Sequence, residues 1–249
     1  PEMSNDGTLS ISDGRHPVIE ILREGQYIPN SLQLDNNQRQ LMILTGPNMG
    51  GKSTYMRQTA LICIMAQAGC FVPASSARLG IVDRVFTRVG AHDDLVHGHS
   101  TLMVEMLELA NILRNATPNS LVLLDEIGRG TSTFDGLAIA WAVAEALHAG
   151  KGVKTLFATH YHQLTDVASI LERSVNCHMQ AKEDGHELTL LHRIAEGATD
   201  ASFGIHVAKM AGVQEEVLTR ARKVLKKLEK GATIEVSKAG PVQSVFSTN

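Results

Sequence analysis

Residues 41–54 read Leu41-Met42-Ile43-Leu44-Thr45-Gly46-Pro47-Asn48-Met49-Gly50-Gly51-Lys52-Ser53-Thr54. The apolar run Leu41–Thr45 predicts a buried strand, the glycine-rich turn ends it, and Met56, Leu61, Ile64, Met65 and Ala68 mark a helix behind it. Gly46, Gly51, Lys52 and Ser53 keep the Gly-x-x-x-x-Gly-Lys-Ser spacing of a phosphate-binding loop, and they sit between strand and helix, where that mechanism needs them. Glycines let backbone N–H groups approach phosphate oxygens, and the helix N-terminus adds its dipole. Lys52 is then the group that reaches the β- and γ-phosphates, and the Ser53 hydroxyl is a Mg²⁺ ligand.

Working outward, Leu121–Leu124 stops at Asp125-Glu126, and Thr155–Ala158 stops at Thr159-His160. Runs apolar on both faces are what a buried parallel sheet demands, and the helical stretches Met103–Asn115 and Leu137–Ala149 supply the crossovers. The fold class expected is α/β, a P-loop nucleotide-binding architecture with a mostly parallel sheet. Asp125 at a strand end is placed to share the metal with Ser53, and Glu126 to polarise an attacking water. His160, ending the next core strand, lies where open α/β sheets bind ligands and is a candidate γ-phosphate sensor.

Two β-prone runs between Val175 and Ile194 flank Glu183-Asp184-Gly185, a hairpin signal that predicts an antiparallel portion of the sheet. From Ser202 the pattern is helical, broken at Gly212, with Val213, Val217, Leu218, Ala221, Val224, Leu225 and Leu228 making a wide apolar face. This pair has the outline of a helix-turn-helix, but so wide a stripe suits packing against a partner chain better than reading a polar DNA groove. Expected boundaries are 1–200 for the nucleotide-binding domain, 201–230 for the helical segment and 231–249 for a disordered polar tail.

Composition narrows the function classes. With 43% apolar and 20% charged residues the chain can build a core, and no apolar run approaches the roughly 18 residues that span a bilayer. Three cysteines with no Cys-x-x-Cys pair argue against a disulfide framework or a zinc knuckle and for a reducing, cytoplasmic setting. A net charge of −3 is not built to neutralise many phosphates, so a grip on nucleic acid is expected to lie elsewhere. Starting at Pro1 and ending in a polar stretch, the chain reads as a piece of a longer one.

Several motifs carry a resemblance. Gly46 to Gln58, Ser100-Thr101 with Met103-Val104-Glu105-Met106, Leu124-Asp125-Glu126-Ile127-Gly128-Arg129-Gly130-Thr131-Ser132-Thr133, and Ala158-Thr159-His160-Tyr161 resemble, in order, the C-terminal ATPase domain of the MutS mismatch-repair family. The likeness runs from about Asp13 to Glu229. It implies an ABC-type ATPase, using ATP and Mg²⁺, that works as a dimer with composite sites. It implies that Ser100 reaches the γ-phosphate held by the partner's P-loop, and that Gly128 to Thr133 line the dimer seam. On the residues alone Ser100 reads as a helix N-cap, which is compatible with that role. It further implies that Tyr27 and His192 clamp the adenine, completing an ATP site of Gly46, Pro47, Asn48, Met49, Gly50, Gly51, Lys52, Ser53 and Thr54. Two departures stand out: His97-Gly98-His99 where members often carry a basic residue, and Leu102 in place of a frequent aromatic.

The implied partners are a second MutS-type subunit, mismatched DNA held by domains absent from this chain, and a downstream MutL-like protein. The alternative is a MutS homologue acting as a clamp or scaffold in recombination or other nucleic-acid processing, without mismatch recognition. An ABC transporter ATPase is disfavoured, because no Leu-Ser-Gly-Gly stretch is present.

Overall fold

A computed structural model describes residues 1–22, 25–89, 100–151, 153–184, 187–199 and 203–229. His97-Gly98-His99, Gly185 of the hairpin signal and the tail 231–249 lie outside the described residues. In chain order the elements are β1 (Glu2–Ser4), β2 (Leu9–Gly14), α1 (Ile19–Leu22), β3 (Asn30–Leu34), β4 (Leu41–Thr45), α2 (Lys52–Gln67), β5 (Ser76–Gly80), β6 (Val85–Arg88) and α3 (Thr101–Asn115). They continue with β7 (Leu121–Asp125), α4 (Thr133–Lys151), β8 (Lys154–Ala158), α5 (Val167–Ile170), β9 (Ser174–Asp184), β10 (Glu187–Glu196), α6 (Gly204–Met210) and α7 (Glu215–Glu229). The chain divides into two compact units, Pro1–Ser202 and Phe203–Asn249.

The first unit is mixed α/β. Its larger sheet has the order β10-β9-β4-β8-β7-β6, parallel from β9 to β6 and closed at one side by the antiparallel β9/β10 pair. Successive side chains of a strand point to opposite faces, so a strand apolar at every position needs cover on both. Met42, Leu44, Leu121, Leu123, Leu156 and Ala158 pack on one face with Tyr55, Met56 and Ile62 of α2. Leu41, Ile43, Val122, Leu124 and Phe157 pack on the other with Leu109 and Ile112 of α3 and Ala140, Ala144 and Leu147 of α4. Removing each such leucine from water contributes roughly 2 kcal/mol.

A second sheet, β1-β5-β2-β3, goes beyond the single sheet expected from the core motifs. It is mixed: β2 pairs antiparallel with both β3 and β5, and β1 runs parallel to β5. Its signal is quieter, since Leu32 and Leu34 alternate with exposed Ser31 and Gln33 and only one face is buried. Leu9, Ile11, Leu32, Leu34 and Leu79 on that face join Tyr55 and Met56 of α2 in the first core.

The second unit holds α6 and α7, joined by 211–214, where Gly212 adopts φ 84°. Glu215 and Glu216 open α7 and Lys226 and Lys227 close it, as the helix dipole favours. Val217 and Leu228 are more than half exposed, whereas Leu218 is buried. Among the described residues no helix is long and apolar enough to cross a membrane.

Candidate functional site

Strand register assembles the site. Leu44 of β4 and Asp125 of β7 both lie opposite Ala158 of the intervening β8, while Glu126 N–H donates to Ala158 O and Thr159 N–H to Leu44 O. The carboxyl ends of three parallel strands therefore stop at one level, where Gly46 and Glu126 begin the loops after β4 and β7 and His160 is the second residue of the loop after β8. Such a crevice is where open α/β sheets hold ligands.

At the end of β4, Gly46 takes φ 123°, and a Cβ there would lie 3.0 Å from the Met179 backbone, so only glycine fits. Gly51 caps α2 at φ 106° without any side-chain cap, leaving the first N–H groups of the helix open toward the loop. Between them Gly50 N–H donates to Pro47 O at 3.0 Å, and Met49 sits at φ 69°. Lys52, buried, donates to Gly46 O at 2.8 Å and Pro47 O at 3.2 Å, and its Nζ stands 4.0 Å from Glu126 Oε1. Burial pushes the Lys52 ammonium below its ordinary pKa, against the opposing pull of Glu126 and Asp125. Pro47, Asn48, Met49, Gly51, Lys52, Ser53, Thr54 and Glu126 line a cavity of about 300 Å³.

Ser53 Oγ donates to Asp125 Oδ2 at 2.5 Å, while Asp125 Oδ1 is buried with no hydrogen-bond partner. A buried carboxylate oxygen without a partner costs free energy unless something else fills its lone pairs. A hard cation suits that position, and a hydroxyl with one carboxylate is the sparse oxygen set that Mg²⁺ takes when phosphates and water complete its shell. Among the described residues there is no cluster of three or more His, Cys, Asp or Glu that could hold a metal by itself.

Glu126 follows at φ 57°, a left-handed conformation that a long side chain seldom adopts. Its Oε1 pairs with Arg129 Nη2 at 2.7 Å. Burial raises the Glu126 carboxyl above its ordinary pKa, more than Arg129 and Lys52 lower it. His160 has an exposed ring 4.0 Å from that of Tyr161. Partial desolvation, with Arg129 and Lys52 nearby, pushes its pKa down to about 4, so the imidazole is neutral at pH 7.

Tyr27 and His192, distant in sequence, line one smaller cavity of about 100 Å³ with Ile19, Asn30, Met49 and Thr54. His192 arrives there through a β-bulge: the β9/β10 register shifts between Leu190 and Ile194, and His192 adopts φ 51°. Asn30 fixes the bulge by donating to His192 O at 2.9 Å and accepting from Ile194 N–H at 2.7 Å. Tyr27 Oη donates to Gln58 Oε1 at 3.0 Å. This cavity shares Met49, Gly51 and Thr54 with the larger one.

Ser100 is the N-cap of α3, its Oγ accepting from Met103 N–H at 3.2 Å, and it does not line either cavity. In the segment 128–133, Gly128 is buried while Arg129, Gly130, Ser132 and Thr133 are exposed. Sequence reasoning gave no individual role to Asn30, Gln58, Glu105 or Tyr161, and placed Arg129 only within the Gly128 to Thr133 segment that the resemblance puts at a dimer seam. Arg129 had a usable signal as a base partner, a cation three residues after a candidate base; Asn30 had none, because the bulge it holds lies more than 160 residues away.

Comparison with known proteins agrees with this architecture. The description of MutS domain V matches residues 42–229. A protein of Methanosarcina mazei named DNA mismatch repair protein MutS is 59% identical over 239 residues, covering 95% of this chain and 27% of that protein. Its namesake in Desulfosudis oleivorans is 55% identical over 243 residues, covering 96% of this chain and 28% of its own length. The chain thus spans about a quarter of the length of the curated relatives it matches. With three quarters of its residues matched as MutS domain V, the chain belongs to the MutS family.

Proposed function

We propose that this chain is the ATPase domain of a DNA mismatch repair protein, binding ATP with Mg²⁺ and hydrolysing it to ADP and phosphate in a dimer with composite sites, so as to switch conformation on mismatched DNA. The observation that carries the reading is the unpartnered, buried Asp125 Oδ1 beside Ser53, at the mouth of a glycine loop that leaves a helix N-terminus open. The names of the relatives support the repair context.

Each residue has a task in this scheme. The N–H groups of Gly51 to Thr54 hold phosphate oxygens, Gly50 keeps the loop's turn through Pro47 O, and Lys52 exchanges its two loop carbonyls for the β- and γ-phosphates. Ser53 and Asp125 hold Mg²⁺, which when bound offsets charge on the phosphate oxygens. Glu126 takes the proton of the attacking water as its oxygen bonds to the γ-phosphorus and the bond to the ADP oxygen breaks; a raised pKa makes it a better proton acceptor. Neutral His160 stands ready to hydrogen-bond the transferred group. Tyr27 and His192 stack on adenine, and Ser100 completes the site of the partner. The α6–α7 pair acts as a helix-turn-helix that buttresses the dimer, in an intracellular protein whose other partners are a MutL-like factor and DNA.

The test is Glu126→Ala beside Lys52→Ala, followed by nucleotide titration and phosphate release. Glu126→Ala should retain ATP yet not turn it over, and Lys52→Ala should lose both. Normal hydrolysis by either variant, or full activity in excess chelator, overturns the reading.

A further inference from the structure

The glycine two residues beyond the proposed base is gripped through both of the peptide units that flank it. Gly128 N–H donates to Glu105 Oε1 at 2.6 Å, and Gly128 O accepts from Tyr161 Oη at 3.0 Å. Both gripping residues are buried, Glu105 6% exposed and Tyr161 4%. They come from different elements: Glu105 from the second turn of α3, Tyr161 from the loop after β8. On its remaining side Gly128 meets Gly136 of α4 so closely that a Cβ on Gly128 would lie 2.6 Å from the Gly136 Cα. Glu105 is itself braced, its Oε2 lying 3.7 Å from the buried Arg88 guanidinium, whose Nε pairs with Glu108 at 3.1 Å.

Such a grip is more than a core needs. Glu126 sits at φ 57°, and a residue of that kind persists there only when its surroundings over-determine the backbone. A carboxylate in helix α3 could satisfy Arg88 without touching the loop; instead it spends an oxygen on one backbone N–H two residues past Glu126. We infer that Glu105, with Tyr161, is a positioning residue that holds the Glu126–Arg129 turn in its hydrolytic shape, and that α3 thereby links Ser100 at its N-terminus to the base. The inference rests on the ATPase reading above. A displacement of Ser100 by a second subunit would move α3, and Glu105 would carry the shift to Gly128 over less than two turns of helix.

Two conservative variants separate this role from a simple ion pair. Glu105→Gln keeps side-chain length and an acceptor oxygen for Gly128 N–H but removes the charge facing Arg88. Glu105→Asp keeps the charge but withdraws the oxygen by one methylene, too short for the 2.6 Å bond. Positioning requires Glu105→Asp to lose about a hundred-fold in turnover with nucleotide affinity unchanged, as displacement of a reacting group by about an ångström does. Glu105→Gln should keep the larger part of the rate. Amide exchange at Gly128 reads the clamp without any nucleotide, and should be fast in Glu105→Asp and slow in Glu105→Gln and the parent. The reverse order, with Glu105→Gln dead and Glu105→Asp active, assigns Glu105 to the Arg88 pair and overturns the inference, as do parental rates in both. Tyr161→Phe removes the second grip and should lower turnover in the same manner; a parental rate there counts against the clamp. A parent chain that does not hydrolyse ATP overturns the ATPase reading itself, which the parent rate alone reports.

Discussion

Replacing Gly136 by alanine puts one methyl group into the tightest contact around the Glu126–Arg129 turn. Its Cβ would lie 2.2 Å from Tyr161 Oη and 2.4 Å from Gly128 O, where ordinary contact begins near 3.4 Å. The tyrosine is buried and tied to the same Gly128 carbonyl, so side chain and backbone must both retreat by about an ångström. Overpacking of this kind costs about 1–3 kcal/mol, and loss of the Tyr161 hydrogen bond about 1 kcal/mol more. Against this, alanine is favoured over glycine inside α4 by about 1 kcal/mol. The net expectation is a destabilisation of about 1–3 kcal/mol, with turnover falling because the Gly128 peptide moves with Glu126. Urea unfolding at constant m-value measures the first effect and phosphate release the second. Gly204→Ala, at a position with no heavy atom within 4 Å, is the control and should be neutral or stabilising. Combining Gly136→Ala with Tyr161→Phe removes the nearer clash and should make the two changes less than additive. A Gly136→Ala chain as stable and as fast as the parent refutes the argument that this close approach shapes the site.

In a pH–rate profile the acid limb should lie above the ordinary carboxylate range, because burial raises Glu126; Arg129→Gln removes a cation that lowers it, so the limb should move further up. A limb that stays in place when Arg129 is changed separates Arg129 from the base. His160 ionises more readily unfolded than folded, since its native pKa is about 4 against an ordinary 6.5. Stability should therefore decline as pH falls from about 6.5 toward 4, and His160→Gln should flatten that part of a melting-temperature curve. Mixing Ser100→Ala chains with Lys52→Ala chains should restore one composite site, built from the Lys52 of the first and the Ser100 of the second; a mixture as inactive as either variant, with heterodimers seen by sedimentation, removes Ser100 from the partner's site.

What the sequence alone determined is local. The strand–loop–helix around Gly46 to Ser53 is legible because each part is specified within a few residues: apolar at every strand position, glycine where φ must be positive, and a helix pattern without a capping side chain. Asp125-Glu126 and His160 are legible as the polar residues that end apolar runs, and Ser100 as an N-cap, since its hydrogen bond reaches only three residues. What the tertiary structure decided rests on pairing across long separations. Register between β4, β8 and β7 sets the strand ends level, and no residue within a strand encodes its neighbour's offset. The second sheet carries the period-two alternation of Leu32 and Leu34, but not the identity of its partner strands. His192 turns toward the loop because Asn30, 162 residues away, pins a bulge, and Gly128 is held by Glu105 and Tyr161, 23 and 33 residues off. Glu105 makes the reason plain: on a helix it reads as one more polar residue, and only packing α3 against the β7 loop turns its carboxylate onto the peptide beside the base.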